Sequence, residues 1–377
     1  MVRNRVVNIK AIGVGGGACN AINRAIARNL SGVEFIAVNT DVQALSQVRA
    51  DRCIQIGDRL TQGLGTGGNA ELGYKAADRD REKIADALKD SDLVFVTAAM
   101  GGGTGTGAAP VVAEVAKSMG ALTVAVVTRP FTFEGKRRAG IAQQGIEVLQ
   151  SRVDTPIAIA NDKILSLISP DTPMQEAFGV ADDILIQGIQ GVSDIITIPG
   201  IVNVDFADVR SVMANAGSAR LGIGVGFGQS RATDAVLNAT SSPLLDASIS
   251  GARGVVLNIT GGNDLTLHEV HAAAEAIYEV VDRDANIIFG TVVDDRLDDE
   301  VRITVIATGF EAGQAQSTHP VRPPVATTPP QPTQPVRQPL KPTLQAPPPP
   351  PPPTPAPTPD GLDLPNFRQQ RRSRQGF

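Results

Sequence analysis

Short apolar runs rich in β-branched residues alternate with stretches of helical spacing through most of the chain. Val6 to Val14, Glu34 to Asn39, Leu93 to Ala98, Thr123 to Thr128 and Pro156 to Ile159 read as interior strands of a parallel sheet. A strand covered on both faces needs no polar alternation. Between them, Ala21 to Leu30, Glu71 to Lys89 and Ala108 to Met119 carry helical spacing, and this alternation predicts a doubly wound α/β domain. Gln175 to Thr197 predicts one long helix, stopped by Pro199-Gly200, with apolar residues such as Phe178, Ile184, Ile189 and Ile196 spread around much of its circumference. Such a helix is buried between layers, and at about 1.5 Å per residue it is roughly 33 Å long. Further runs at Leu221 to Phe227, Val255 to Thr260, Asn286 to Val293 and Val301 to Thr308 alternate with helices near Arg231 to Ala239 and Leu267 to Val281. They predict a second, smaller α/β domain.

Two of the strands run into glycine. After Leu93 to Ala98 comes Met100-Gly101-Gly102-Gly103-Thr104-Gly105-Thr106-Gly107, and after Val6 to Val14 comes Gly15-Gly16-Gly17-Ala18-Cys19-Asn20. Glycines without Cβ atoms let successive N–H groups wrap an anion at a helix N-terminus, where the dipole adds positive potential. Thr104 and Thr106 add hydroxyl donors. A flexible turn needs one or two glycines, whereas 101–107 holds five, so the pattern points to a phosphate site. Gly13, Gly15 and Ala18 also fit the dinucleotide pattern, with Asp41 at the end of the next strand as a ribose ligand. A nicotinamide-dependent oxidoreductase is therefore an alternative, and the second, richer loop counts against it. There is no G-x-x-x-x-G-K-[ST], which excludes a P-loop NTPase.

Net charge is -5 with 19 % charged residues, and nothing in that balance suggests a general nucleic-acid binder. Cys19 and Cys53 are expected to be small buried residues in a reducing compartment. His268, His271 and His319 are too few and scattered for most catalytic schemes, and a solvated surface is expected for the first two. No apolar run approaches the roughly 18 residues of a membrane span, and Met1 to Lys10 is charged where a signal peptide is apolar, so a cytoplasmic protein is expected. Asp58 to Asn69 lacks apolar periodicity and reads as a mobile surface loop. Between Pro320 and Pro359 lie 19 of the 27 prolines, a composition that cannot form a core. This disordered Pro-rich tail leads to Gly361-Leu362-Asp363-Leu364-Pro365-Asn366-Phe367 and four arginines, a docking peptide or else an inert solubilising end.

Several residues have two readings. Guanine offers adjacent N1–H and 2-amino donors, which call for a carboxylate. Asp183 fits that need, or is a charge favoured at a helix start; Phe178 stacks on a base, or is core. Glu134 and Arg138, four apart, are a surface ion pair or a ribose acid and a phosphate cation. Asp205 and Asp208 precede the helix-like Val209 to Ala216, and capping that helix would account for both.

The chain resembles the FtsZ family of bacterial tubulin-like cell-division GTPases. The resemblance rests on the 101–107 loop, which looks like the tubulin signature, and on Asn203-Val204-Asp205-Phe206-Ala207-Asp208-Val209-Arg210. The first glycine loop, Val38 to Asp41, Phe131 to Arg138, Ala177-Phe178-Gly179, the proline-rich linker and the terminal peptide agree with it. Ala18 and Cys19 stand where the family commonly has more glycine, Thr97-Ala98-Ala99 precedes Met100 where an extra glycine is usual, and Ala160-Asn161-Asp162 lacks the proline usual before the asparagine. The resemblance implies a tubulin-like, Rossmann-type GTP-binding domain over 1–174, a central helix over 175–200 and a second α/β domain over 201–311. A disordered linker over 312–360 and a docking peptide over 361–377 follow. It implies that Gly16, Gly17, Ala18, Cys19 and Asn20, together with Gly101, Gly102, Gly103, Thr104, Gly105, Thr106 and Gly107, surround the phosphates of GTP. Glu134 then meets the ribose, Arg138 lies near the phosphates, Phe178 stacks on guanine and Asp183 reads it. Mg2+ is expected through the phosphates.

By the same resemblance Asp205, Asp208 and Asn203 act on the nucleotide of the next subunit, so the chain assembles head to tail and hydrolyses GTP at the interface. The expected setting is a division ring at midcell in the cytoplasm, with membrane-anchoring and regulatory division proteins held by the terminal peptide, no nucleic acid and no membrane span. A GTP-binding scaffold with negligible turnover is the other alternative.

Overall fold

Runs rich in valine, isoleucine and alanine build five of the six parallel strands of the first sheet. The computed structural model describes residues 6–310 except 31, 199, 201 and 298; the linker and docking-peptide assignments lie outside the described residues. In chain order the first layer system is β1 (Ile9–Val14), α1 (Gly16–Ala27), β2 (Val33–Asn39), α2 (Val42–Ser46), β3 (Arg52–Gln55), α3 (Asp58–Thr61), α4 (Ala70–Arg79), α5 (Arg81–Ala87), β4 (Leu93–Ala99), α6 (Thr104–Ser118), β5 (Leu122–Arg129), α7 (Lys136–Gln150), β6 (Thr155–Ala160) and α8 (Asn161–Ile164). The sheet order is β3-β2-β1-β4-β5-β6, all parallel. The order reverses between β1 and β4, the place where a doubly wound sheet opens a crevice at the carboxyl ends of its strands. Both glycine loops leave from those two strands.

The long helix is α9 (Met174–Thr197), followed by α10 (Phe206–Met213), β7 (Arg220–Phe227), α11 (Arg231–Thr240), β8 (Gly254–Gly261), α12 (Leu267–Tyr278), β9 (Asn286–Val293) and β10 (Glu300–Thr308). The second sheet runs β7-β10-β8-β9, with β10 antiparallel to both neighbours and β8 parallel to β9. One buried cluster joins Ile22, Phe95 and Val126 of the first layers, Ile184, Ile189 and Val192 of α9, and Val256 and Ile306 of the second sheet. α9 is thus the shared wall of both sheets, as its all-round apolar surface requires.

Five expectations change. β3 is a strand that the pattern did not show, because only four residues pair with β2. Glu71 to Lys89 is two helices, broken at Asp80, whose carboxylate accepts from Gly57 N at 2.7 Å and holds Lys83 at 2.8 Å. The 58–69 segment has regular structure that the pattern did not show: it contains α3, and Thr61 and Thr66 are buried, while most of its other residues, Leu64 among them, are exposed. Cys53 is exposed on the edge strand β3, while Cys19 is buried. α1 and α6 begin at Gly16 and Thr104, inside the glycine loops, because packing of the loops offsets the poor helix propensity of glycine. His268 and His271 are exposed on α12, as expected.

Candidate nucleotide site

The two glycine loops touch through their backbones. Gly15 has φ +82, and a Cβ there would lie 2.8 Å from Gly105 N, so no other residue permits this approach. A methyl at Gly103 would overlap Thr66 Oγ1 and lie 2.7 Å from Asn69 N, which is how the 58–69 segment seats against the second loop. Gly101, at φ +95, lies under Arg138. Gly16 and Gly102 face open space. Neither α1 nor α6 has a side-chain cap or an acidic residue in its first turn, so both helix starts offer N–H groups and dipole to an anion.

The threonines brace this cradle from inside. Thr104 Oγ1 is 2.6 Å from Thr40 Oγ1 and 3.3 Å from Thr66 Oγ1, and Thr106 Oγ1 accepts from Gly101 N at 2.8 Å. Cys19 packs against Ala37 and Leu45, and burial, then the nearby Cys53, pushes its thiol up to about 12. It stays neutral and fills space. Asn20 is exposed, Ala18 is buried, and Ala99 supplies the methyl against which Gly17 fits. Asp41 accepts from Ala44 N at 3.0 Å and caps α2, which commits the carboxylate that a dinucleotide ribose would require.

Beside the cradle stands an aromatic wall. Phe131 stacks on Phe133 at 5.0 Å and meets Phe178 edge-on at 5.6 Å, around a hollow of about 390 Å³ completed by Leu165, Ile168 and Met174. The short turn Thr132–Glu134 is pinned to α8, with Thr132 N and Oγ1 donating to Asp162 at 2.9 and 2.5 Å. Glu134 accepts from Phe131 N at 2.9 Å and pairs with Arg138 at 3.1 Å. Asn161, at the carboxyl end of β6, is buried with an Oδ1 that has no partner. A side-chain amide acceptor there suits a base edge, and its place directly after a strand was the available signal.

Asp183 is not at the start of α9 but on its tenth residue, and it pairs with Arg28 at 2.6 Å, leaving Oδ1 buried without a partner. Arg28 lines a different cavity of about 860 Å³, between α9 and the second sheet, with Asp194, Asn258 and Arg302. Asp182, four residues after Phe178, is the carboxylate on the face of Phe178. It pairs with Arg24 at 3.1 Å, and burial pushes its carboxyl up to about 6 against the pull of Arg24. Sequence reasoning missed it, although the i, i+4 spacing was legible.

Asn203, Asp205 and Asp208 lie elsewhere. Asn203 accepts from Gly200 N at 2.7 Å, and Asp205 caps α10 by accepting from Asp208 N at 2.9 Å. α10 is tied to the amino ends of the strands: Thr155 Oγ1 at the start of β6 donates to Met213 O at 2.5 Å, and Asn215 N donates to Asp154 at 3.3 Å. The glycine loops are at the carboxyl ends. At about 3.3 Å per residue, β5 alone separates the two ends by roughly 26 Å.

Two family models match this chain, the GTPase domain of the Tubulin/FtsZ family over residues 8–169 and the C-terminal domain of the FtsZ family over 217–311. An empty FtsZ dimer from M. jannaschii is 44 % identical, covers 82 % of this chain and 90 % of that one, and has a TM-score of 0.79. The chain belongs to the FtsZ family. A point mutant of the M. jannaschii FtsZ is 45 % identical over 81 % of this chain and 92 % of its own, at TM-score 0.78. CetZ2 from Haloferax volcanii, in a GTPγS-bound protofilament, shares the fold at 20 % identity and TM-score 0.70, over 82 % of this chain and 95 % of that one. The chain therefore carries the FtsZ GTPase domain on residues that include both glycine loops and the aromatic wall up to Ile168, and the FtsZ C-terminal domain on the second sheet. No helix among the described residues is long and apolar enough to cross a membrane.

Proposed function

We propose that this FtsZ-family chain binds GTP in the cradle between α1 and α6, assembles head to tail, and hydrolyses GTP where the α10 end of one subunit meets the cradle of the next. The observation that carries this is the placement of the glycine loops and of Asp205 and Asp208 at opposite ends of the parallel strands. One chain cannot bring them together, whereas a heterologous contact between copies can, and such a contact builds an open polymer. Phe133, Leu165 and Met174, exposed beside the cradle, offer apolar surface for that contact. That relatives exist as a dimer and as a GTPγS-bound protofilament agrees with assembly.

Gly16 to Asn20 and Gly103 to Gly105 hold the phosphates through the N–H groups left free at the starts of α1 and α6, Gly101, Gly102, Thr106 and Gly107 complete the second loop, Arg138 lies beside them, and Glu134 meets the ribose. Phe178 stacks on the base. Asp182, rather than Asp183, accepts the guanine donors, with Asn161 alongside. Asp208, whose side chain has no hydrogen bond or ion pair among the described residues, orients the attacking water on the neighbour's γ-phosphate, with Asp205 and Asn203 shaping the loop. Mg2+, a hard cation that keeps oxygen ligands, would be held there through phosphate oxygens and water. Bound there, Mg2+ offsets the charge of the transferring phosphoryl group. The 312–360 segment tethers the 361–377 peptide, which docks membrane-anchoring and regulatory partners of a cytoplasmic division ring at midcell.

Sedimentation with GTP, GDP, ATP and NAD in parallel, with phosphate release from the same samples, tests this reading. GTP-specific polymers that release phosphate are expected. Release without polymers overturns the shared site, and polymers without release favour the scaffold reading, in which Asp205 only caps α10.

A further inference from the structure

Arg210 lies two residues after Asp208 on α10, so the two side chains project about 200° apart around the helix. Arg210 Nη2 donates to Gly120 O at 2.5 Å, and its guanidinium lies 5.7 Å from the Phe206 ring one turn earlier. Gly120, at φ +85, ends α6, and its N–H returns to Lys117 O at 3.0 Å; the left-handed turn leaves its carbonyl facing α10. Lys117, in the last turn of α6, reaches Asn215 Oδ1 at 2.9 Å and Asp154 at 2.9 Å, and so fastens the chain just beyond α10 as well. The end of α6 therefore holds α10 at two points, one mid-helix and one past its C-terminus. Buried Val209, Val212 and Met213 seat the inner face of α10 on the core, and Thr308 Oγ1 donates to Val212 O at 3.2 Å. The Arg210 contact, on the face opposite Asp208, fixes the side of the helix that this packing leaves exposed.

We infer that Arg210 is the positioning residue for Asp208: by anchoring α10 to the Gly120 carbonyl it sets the rotation that points the Asp208 carboxylate away from its own chain and toward the neighbour's nucleotide. This rests on the reading that Asp208 completes the neighbour's site. α6 starts in the glycine loop and ends on this anchor, so the helix that bounds a subunit's own phosphates also sets the carboxylate offered to the next subunit.

The test uses the full chain with Arg210→Met, Arg210→Lys and Asp208→Ala, and the double variant Arg210→Met/Asp208→Ala. GTP affinity of the monomer, sedimentation with GTP, and turnover per sedimented subunit are measured for each. Arg210→Met should bind GTP as the parent does and lose about tenfold or more in turnover, since small misplacements of a reacting group are costly. Arg210→Lys, which keeps one donor and the charge, should recover part of that loss. On the Asp208→Ala background Arg210→Met should cost less than about twofold more, because a group acting through Asp208 has nothing left to position. If the two losses multiply, Arg210 acts on the nucleotide independently and the inference fails; parental turnover in Arg210→Met also overturns it. If Asp208→Ala itself keeps full turnover, the shared-site reading fails and takes the inference with it. Should Arg210→Met not sediment, hydrogen exchange over 206–213 in the monomer decides: faster exchange confined to α10 supports the anchor, and unchanged exchange refutes it.

Discussion

Asp205 Oδ1 accepts the backbone N–H of Asp208 at 2.9 Å, so one carboxylate of the pair is spent on starting α10 while the other is left exposed. The two aspartates, three apart, therefore differ in role. Asp205→Ala removes a helix cap and is expected to lower stability by about 1 kcal/mol. Asp208→Ala is expected to fold, bind GTP and assemble normally, with turnover reduced about 10²- to 10³-fold. Mixing it with a chain that has an impaired glycine loop and an intact Asp208 should restore some phosphate release. A mixture no more active than the sum of its parts would leave Asp208 with a structural role alone.

Asp182 and Asp183 separate by their neighbours. Asp182→Ala should weaken GTP binding by about 1.5 to 3 kcal/mol, the worth of a hydrogen bond to a charged group, whereas Asp183→Ala loses the Arg28 pair and should change affinity less. Guanine needs the ionised carboxylate, and that of Asp182 sits at about 6, so GTP affinity of the parent should fall as pH drops through about 6. Titration calorimetry at pH 5.5 and 7.5 on the three proteins checks both points. Greater loss in Asp183→Ala would return the guanine contact to that residue.

Asp194 lies in the cavity between α9 and the second sheet, where burial above all, with Asp294 adding, pushes its carboxyl up to about 6. A carboxyl raised by folding makes the folded state hold its proton more tightly than the unfolded chain does. Its contribution to stability is thus fully present at acid pH and declines as pH rises from about 4 to about 6. Asp194→Asn should remove that decline and stabilise the fold at pH 7.5 by about 1 to 3 kcal/mol. Denaturant unfolding at pH 5 and 7.5 measures it; an equal effect at both values contradicts the assignment.

Removing residues 361–377 should leave sedimentation and phosphate release near the parental level and abolish binding to a membrane-bound division partner. Their arginines add attraction to anionic lipid of about 1 kcal/mol each near the surface. Vesicle co-sedimentation with and without the partner protein reads the result. Loss of assembly in the truncated chain would place the peptide in the folded body.

Much of this molecule is a matter of local pattern. The β-branched runs, the two strand-glycine-helix units and the apolar circumference of α9 each depend on residues within one or two turns of one another, so the sequence alone specified the doubly wound sheet, the two glycine loops at its strand ends and the central helix. β3, the break at Asp80 and the seating of Thr66 on Gly103 escaped it because each depends on a partner elsewhere in the chain: β2 for the four paired residues of β3, Gly57 for Asp80, and the second glycine loop for Thr66. That Thr104 meets Thr40 and that Thr106 accepts from Gly101 N likewise depends on residues brought together by the fold. The packing of α9 against α1 turns Asp183 to Arg28 and away from the aromatic wall, and the ties of α10 to the start of β6 leave Asp208 a sheet's length from its own glycine loops. Spacing along a chain fixes which side of a helix a residue occupies, but which end of the molecule that helix reaches is set by contacts such as Arg210 to Gly120, ninety residues apart.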